Sequence, residues 1–264
     1  MTFTWNVDPI IFSIQTFSLH WYGIFFSVGF LIGLFYVNNV FKKEKLNTKD
    51  LDTLLIYCFI GTIVGARLGH CFFYQPSYYL SNPIQILMIW KGGLASHGGG
   101  IGLTLSVWLF CLFYKYNFVK LADLLCIPTA CTGGFIRLGN LFNSEIYGKA
   151  TNSDYGVIFS RIDLIPRHPV QLYEAIAYFS IMFILIYIYK KFNKKYIGLT
   201  LGMFLVLVFS IRFILEFFKP EQADYISNTE LLTVGQYLSI PFVCIGIILF
   251  VYSIVRNIKT KEKI

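Results

Sequence analysis

Charge is scarce in this chain: Asp, Glu, Lys and Arg make up 14% of its 264 residues, against 56% apolar ones. Soluble domains carry roughly a quarter of their residues charged, so the scarcity excludes a free-standing soluble fold and leaves an integral membrane protein. Histidine numbers only 4, too scattered to argue for a metal site. No cysteine stands in a Cys-x-x-Cys pair. Cys58, Cys71, Cys111, Cys126, Cys131 and Cys244 all lie in or beside apolar runs, where a free thiol behaves as a small hydrophobe. A Walker loop, a His-Glu-x-x-His pair and a Gly-x-Ser-x-Gly turn are absent too, which removes three widespread catalytic signatures. Residues 1–18 have no basic start, no long apolar stretch and no small-residue cleavage site, so a removable signal peptide is not expected there.

What the chain has is apolar runs of spanning length. A membrane helix needs about 20 mainly apolar residues, and seven runs qualify: 19–41, 51–74, 94–114, 121–141, 169–189, 197–218 and 235–255. The expected fold is an all-α polytopic membrane protein, a single integral membrane domain over 1–264. Aromatic residues reach 19%, which suits lipid-facing helices and interfacial belts. Gly29/Gly33, Gly61/Gly65, Gly65/Gly69, Gly98/Gly102 and Gly198/Gly202 carry the small-xxx-small spacing of close helix packing.

Orientation follows from Lys and Arg, which concentrate in cytoplasmic loops. Lys42, Lys43, Lys45 and Lys49 fall in one loop, Lys115 and Lys120 in another. Lys190, Lys191, Lys194 and Lys195 follow, then Arg256, Lys259, Lys261 and Lys263 in the tail, all on one side of the predicted spans. The other side holds only Lys91, Lys149, Arg161, Arg167 and Lys219. The bias predicts the N-terminus outside and the C-terminus in the cytoplasm. The outer loops 75–93, 142–168 and 219–234 are then the long ones, enough for a small extracytoplasmic cap with strand-like pieces around Gly156 to Phe159. The net charge of +8 does not imply nucleic acid, since the basic residues sit in short loops between apolar runs.

Three arginines, Arg67, Arg137 and Arg212, fall inside the predicted spans, all toward the outer side. Each costs about 2.5 to 3.5 kcal/mol on insertion scales, so each needs a partner or a purpose. Arg137 shares a helix face with Asn140, as a phosphate-binding fork and an added donor would. A bridge to Glu145 is its structural alternative. Arg212 stands four residues before Glu216 and can pair with it. Arg67 has no acid nearby in the sequence, which leaves snorkelling to the outer interface or support of a site. His97 stands among Gly98, Gly99 and Gly100 at an expected helix start, where backbone N–H groups lie open to an anion and imidazole can accept a proton. Arg167-His168-Pro169 reads as another helix start, with Arg167, Gln171 and Glu174 on one face.

The stretch from Gly134 to Gly148, with Arg137, Gly139, Asn140, Asn143 and Glu145, resembles the signature of bacterial prolipoprotein diacylglyceryl transferases. His20-Trp21-Tyr22-Gly23, Ser96-His97-Gly98-Gly99, Arg167-His168-Pro169-x-Gln171-x-Tyr173-Glu174 and Arg212-Phe-x-x-Glu216-Phe resemble further blocks of that family, in its order and over nearly the whole chain. Ile136 and Leu141 depart from the signature, standing where it usually has glycine and phenylalanine. The resemblance implies a multi-pass enzyme of the bacterial inner (cytoplasmic) membrane, its active site toward the extracytoplasmic face. It would transfer the diacylglyceryl group of phosphatidylglycerol to the lipobox cysteine in a prolipoprotein signal peptide and release glycerol phosphate.

That chemistry needs no cofactor and no metal. It does need donors for a phosphate that gains charge as it leaves, and a route for the thiol proton. Arg137, Arg212, His97, Tyr22 and Glu174 are the expected catalytic residues. Arg137, Asn140, Arg212, Asn143, Glu145, Gly148, Gly98 and Gly99 are those expected to bind phosphatidylglycerol. The rival reading is a transporter or binding protein for an anionic lipid or solute. Such proteins usually gather polar groups at the midplane between repeated halves, whereas here they cluster at one side.

Overall fold

The computed structural model describes residues 2–15, 17–93, 95–192, 195–220 and 232–261, excepting the side chains of Phe17, Lys91, Ser96, His97 and 258–261. The protein is mostly helical, as the apolar runs predict. Six of the described helices are long and apolar enough to cross a membrane: Trp21–Lys43, Thr48–Phe73, Phe118–Phe142, Val170–Phe192, Leu199–Phe218 and Val234–Asn257. We label the long helices α1 (Trp21–Lys43), α2 (Thr48–Phe73), α5 (Ser96–Tyr114), α6 (Phe118–Phe142), α7 (Val170–Phe192), α8 (Leu199–Leu215) and α9 (Val234–Lys261). Short helices α3 (Pro76–Ser81) and α4 (Ile84–Leu87) lie between α2 and α5.

The chain divides into two compact units, one of residues 1–37 and 123–264, the other of residues 38–122. The smaller unit is built on the crossing of α2 and α5, which glycines bring backbone to backbone. A Cβ at Gly69 would come within 2.8 Å of the Gly98 Cα, and one at Gly65 or Gly102 would run into the facing helix's carbonyl oxygens. No side chain fits there, so Gly61, Gly65, Gly69, Gly98 and Gly102 all serve packing. Asn47 caps the start of α2, its side chain accepting from the Lys49 N–H at 3.1 Å.

Arg67 does not snorkel, and among the described residues it pairs with no acid. It is 3% exposed, and its guanidinium donates to the carbonyls of Ile86 (2.9 Å), Gln85 (2.5 Å), Gly93 (3.2 Å) and Gly92, with Tyr79 stacked 5.0 Å away. The cation thus straps the whole connection between α2 and α5 onto α2.

In the larger unit, Gly29 and Gly33 let α1 close on α6, where a Cβ at Gly33 would stand 2.7 Å from that of Pro128. Gly202 and Gly246 do the same for α8 and α9. Asp123, 1% exposed, accepts from the N–H groups of Gly198 (2.6 Å) and Leu201 (2.7 Å), so α6 caps the start of α8. Short strands accompany the helices. Strand β1 (Thr2–Trp5) pairs parallel with β4 (Gly156–Phe159), which pairs antiparallel with β5 (Pro166–Arg167); β2 (Ile10–Ile14) and β3 (Phe17–His20) form a hairpin leading into α1. Among these, only the Gly156–Phe159 strand has a counterpart in the sequence reading. Trp5 packs edge-on against Phe142 at 5.3 Å and Trp21 lies 5.2 Å from the same ring, fixing the strands to the end of α6.

Candidate active site

Of the polar residues predicted for a site, Arg137, Asn140, Asn143, Glu145, Glu174 and Arg212 fall within the larger unit, where α6 and α8 end and α7 begins. Arg137 lies in the last turns of α6, where Gly139 leaves room for Tyr22 of α1: a Cβ on Gly139 would be 2.7 Å from that ring. Beyond α6 the chain turns sharply, with Ser144 and Ile146 at φ of 54° and 56°. This turn brings Glu145 back under Asn140 and Asn143, whose amides donate to its Oε1 at 2.8 and 3.1 Å. Gln171 of α7, fully buried, holds the same turn by donating to the Glu145 carbonyl at 2.6 Å. Gly148 follows, its N–H donating to the His168 carbonyl at 2.8 Å, with no room for a Cβ beside His168 and Val170.

Arg137 does not bridge to Glu145. Its Nε meets Oε2 of Glu174 at 2.9 Å, and its Nη1 donates to Asn140 Oδ1 at 3.4 Å. Glu174 is fully buried and holds a second cation, the ammonium of Lys219, 2.8 Å from its Oε1. Lys219 reaches Glu216 Oε2 at 3.6 Å, so Arg137, Glu174, Lys219 and Glu216 alternate in sign and cancel.

Arg212 remains over. The pairing with Glu216 that their spacing allows does not form, because Glu216 turns to Lys219 and packs its carboxylate on Gly235 of α9. Among the described residues no ion pair or hydrogen bond reaches the half-buried Arg212 guanidinium. Tyr178, one turn along α7 from Glu174, lies within electrostatic reach of both Arg137 and Arg212. Arg212 is thus a half-buried cation with no described counter-ion at the end of an apolar helix, a setting that favours an anion.

Further predicted residues belong to other elements. Arg167 does not share a helix face with Gln171 and Glu174, because α7 begins only at Val170 and Arg167 belongs to β5. There it pairs with Asp163 at 2.6 Å and stacks on Tyr147 at 4.9 Å. The hydrogen bond from Arg167 holds the Asp163 carboxyl below its ordinary range. Gly98 and Gly99 belong to the smaller unit; the backbone of α2 fills the space beside Gly98, and a Cβ on Gly99 would stand 3.5 Å from the Ala66 side chain. His97 stands in the first turn of α5, and its side chain lies outside the described residues. Lys219 and Tyr178 are the members that the sequence reading left out. Their spacing from Glu216 and Glu174 was the available signal, three and four residues along.

A family model described as prolipoprotein diacylglyceryl transferase matches residues 9–252. The chain is 52% identical over 250 residues to the phosphatidylglycerol–prolipoprotein diacylglyceryl transferase of Tolumonas auensis, covering 94% of this chain and 96% of that one. It is 47% identical over 252 residues to the protein of the same description from Chloroherpeton thalassium, covering 95% and 94%. With that of Bacteroides fragilis the identity is 41% over 273 residues, covering 98% of each.

Proposed function

This chain belongs to the prolipoprotein diacylglyceryl transferase family, and from that premise we propose that it moves the diacylglyceryl group of phosphatidylglycerol onto the cysteine of a prolipoprotein's lipobox. The thiol sulfur attacks the glycerol carbon that carries the phosphate ester. A C–S bond forms as the C–O bond breaks, the thiol proton goes to a base, and glycerol phosphate leaves with the bonding pair. The product is a thioether-linked prolipoprotein.

The observation that carries this reading is Arg212, a half-buried guanidinium with no described protein anion, in one cluster with Arg137 around Tyr178. The headgroup phosphate supplies the missing charge. Arg137 and Arg212 bind it as a diester and hold it more strongly as a second negative charge develops, a gain specific to the transition state. Asn140 orients Arg137, and with Asn143 it fixes Glu145. Gly148 keeps the turn tight against His168. Tyr22 packs into the same end of α6.

For the thiol proton we propose His97, since imidazole titrates near neutral pH. Glu174 suits that task less well, both its oxygens being held by cations. Gly98 and Gly99 carry the backbone beside His97.

We further propose seven spans, adding α5 to the six. Its 19 residues rise about 28 Å, close to the hydrocarbon thickness. The charge asymmetry supports an extracytoplasmic N-terminus and a cytoplasmic C-terminus in the inner membrane. Loops 75–93, 142–168 and 219–234 then form the outer cap, on the side where the lipobox cysteine emerges. Residues 221–231 of the last loop lie outside the described residues.

Purified protein in phosphatidylglycerol vesicles, given a lipobox peptide, should raise the peptide mass by one diacylglyceryl group and release glycerol phosphate. Binding of the lipid with neither change would overturn the reading and favour an anionic-lipid binding protein. R137A and R212A should each lower turnover by about 100-fold or more, the usual scale for losing a transition-state charge donor.

A further inference from the structure

Resting on that phosphate clamp, we infer that Lys219 is a positioning residue: it holds Glu174 so that the fork of Arg137 stays open to the headgroup phosphate. Lys219 reads in the sequence as one more cation of an outer loop, yet it is 6% exposed and bonded to a carboxylate with no exposure at all. A buried ammonium is costly unless its surroundings use it.

The use lies in the geometry of Glu174. A carboxylate and a guanidinium left to themselves favour two parallel N–H···O bonds, and a phosphate engages arginine through the same fork. An unrestrained Glu174 would compete with the substrate for Arg137. Here its Oε1 is committed to Lys219 at 2.8 Å, and its ion contact with Arg137 is made by Oε2 at Nε, 2.9 Å away. Among the described residues the terminal nitrogens of Arg137 have the 3.4 Å contact from Nη1 to Asn140 and the neighbouring Tyr178.

A lysine that merely fills space would matter equally whatever stands at position 174. A lysine that restrains Glu174 matters only while residue 174 is charged. K219M should lower kcat/KM for phosphatidylglycerol by about 10- to 100-fold, a range typical of coupled neighbours, and K219R should stay within about 3-fold of wild type. E174Q keeps an acceptor for Arg137 and should remain measurably active; adding K219M to it should cost less than about 3-fold more. Full activity of K219M, an inactive E174Q, or an undiminished loss in the E174Q background would each overturn the inference. Should K219M fail to fold, the comparison of E174Q with E174Q/K219M still decides, because neither leaves a charged carboxylate at 174 without its cation. Failure of the underlying reading shows separately, as a wild-type protein that transfers no diacylglyceryl group or an R212A variant that transfers at full rate.

Discussion

The two arginines Arg67 and Arg212 start from the same energetic problem and solve it differently. Arg67 meets its cost through backbone carbonyls and an aromatic face, so it is satisfied without any ligand. Arg212 has no described partner and waits for an anion. Removing them should therefore do opposite things. Arg67→Met strips donors from the carbonyls of Gln85, Ile86, Gly92 and Gly93 and should destabilise the protein by about 3 to 5 kcal/mol. Arg67→Lys should recover only part of this, since an ammonium cannot reproduce the fork. R212A should leave thermal unfolding in detergent unchanged or slightly raised while turnover collapses. A stable Arg67→Met protein would show that the carbonyl cage is dispensable. The sequence distinguishes these residues poorly. It places both in apolar runs, and backbone carbonyls have no residue type by which to announce themselves. The Arg212–Glu216 spacing even points to a bridge that Lys219 pre-empts.

At the scale of elements, glycine spacing was informative because close helix approach has one cheap solution, the loss of Cβ. The α2–α5 crossing makes the contrast measurable within one helix. Gly102→Ala drives a methyl into the Gly61 carbonyl and should cost about 1 to 3 kcal/mol. Gly100→Ala, with nothing within 4 Å of its Cβ, should be neutral or stabilising by up to about 1 kcal/mol. Unfolding of the two variants in one detergent tests both. The short strands are less legible: the sequence anticipates β4, but its partner β1 is only four residues long and lies across more than half of the chain. Next to β5, the Asp163–Arg167 pair ties the loop to the strand. Its carboxyl titrates lower when folded than when unfolded, so its contribution is complete above about pH 4 and fades as pH falls through the folded value. Amide protection factors around 160–167, which correct for the slower intrinsic exchange in acid, should fall on acidification in wild type, and D163N should already show the lower protection at neutral pH.

For the molecule as a whole, two kinds of pattern in the chain carry unequal weight. Hydropathy fixes which segments are apolar enough to span, and all six qualifying helices of the structure fall on predicted runs. Orientation rests on something separate, the crowding of lysines in alternate loops. Such crowding is what is expected of loops that insertion would retain in the cytoplasm. The proposed site chemistry depends on that orientation, since it requires a lipobox cysteine to arrive from the outer side. Leu164 and Lys43 give it a direct test, being exposed residues of loops assigned to opposite faces. In a variant cleared of native cysteines, L164C should react with a membrane-impermeant maleimide in intact spheroplasts, and K43C only after lysis. The reverse pattern would put Arg137 and Arg212 on the cytoplasmic side. There the enzyme would meet phosphatidylglycerol of the inner leaflet but not a translocated cysteine, and the transferase reading would fail with the orientation.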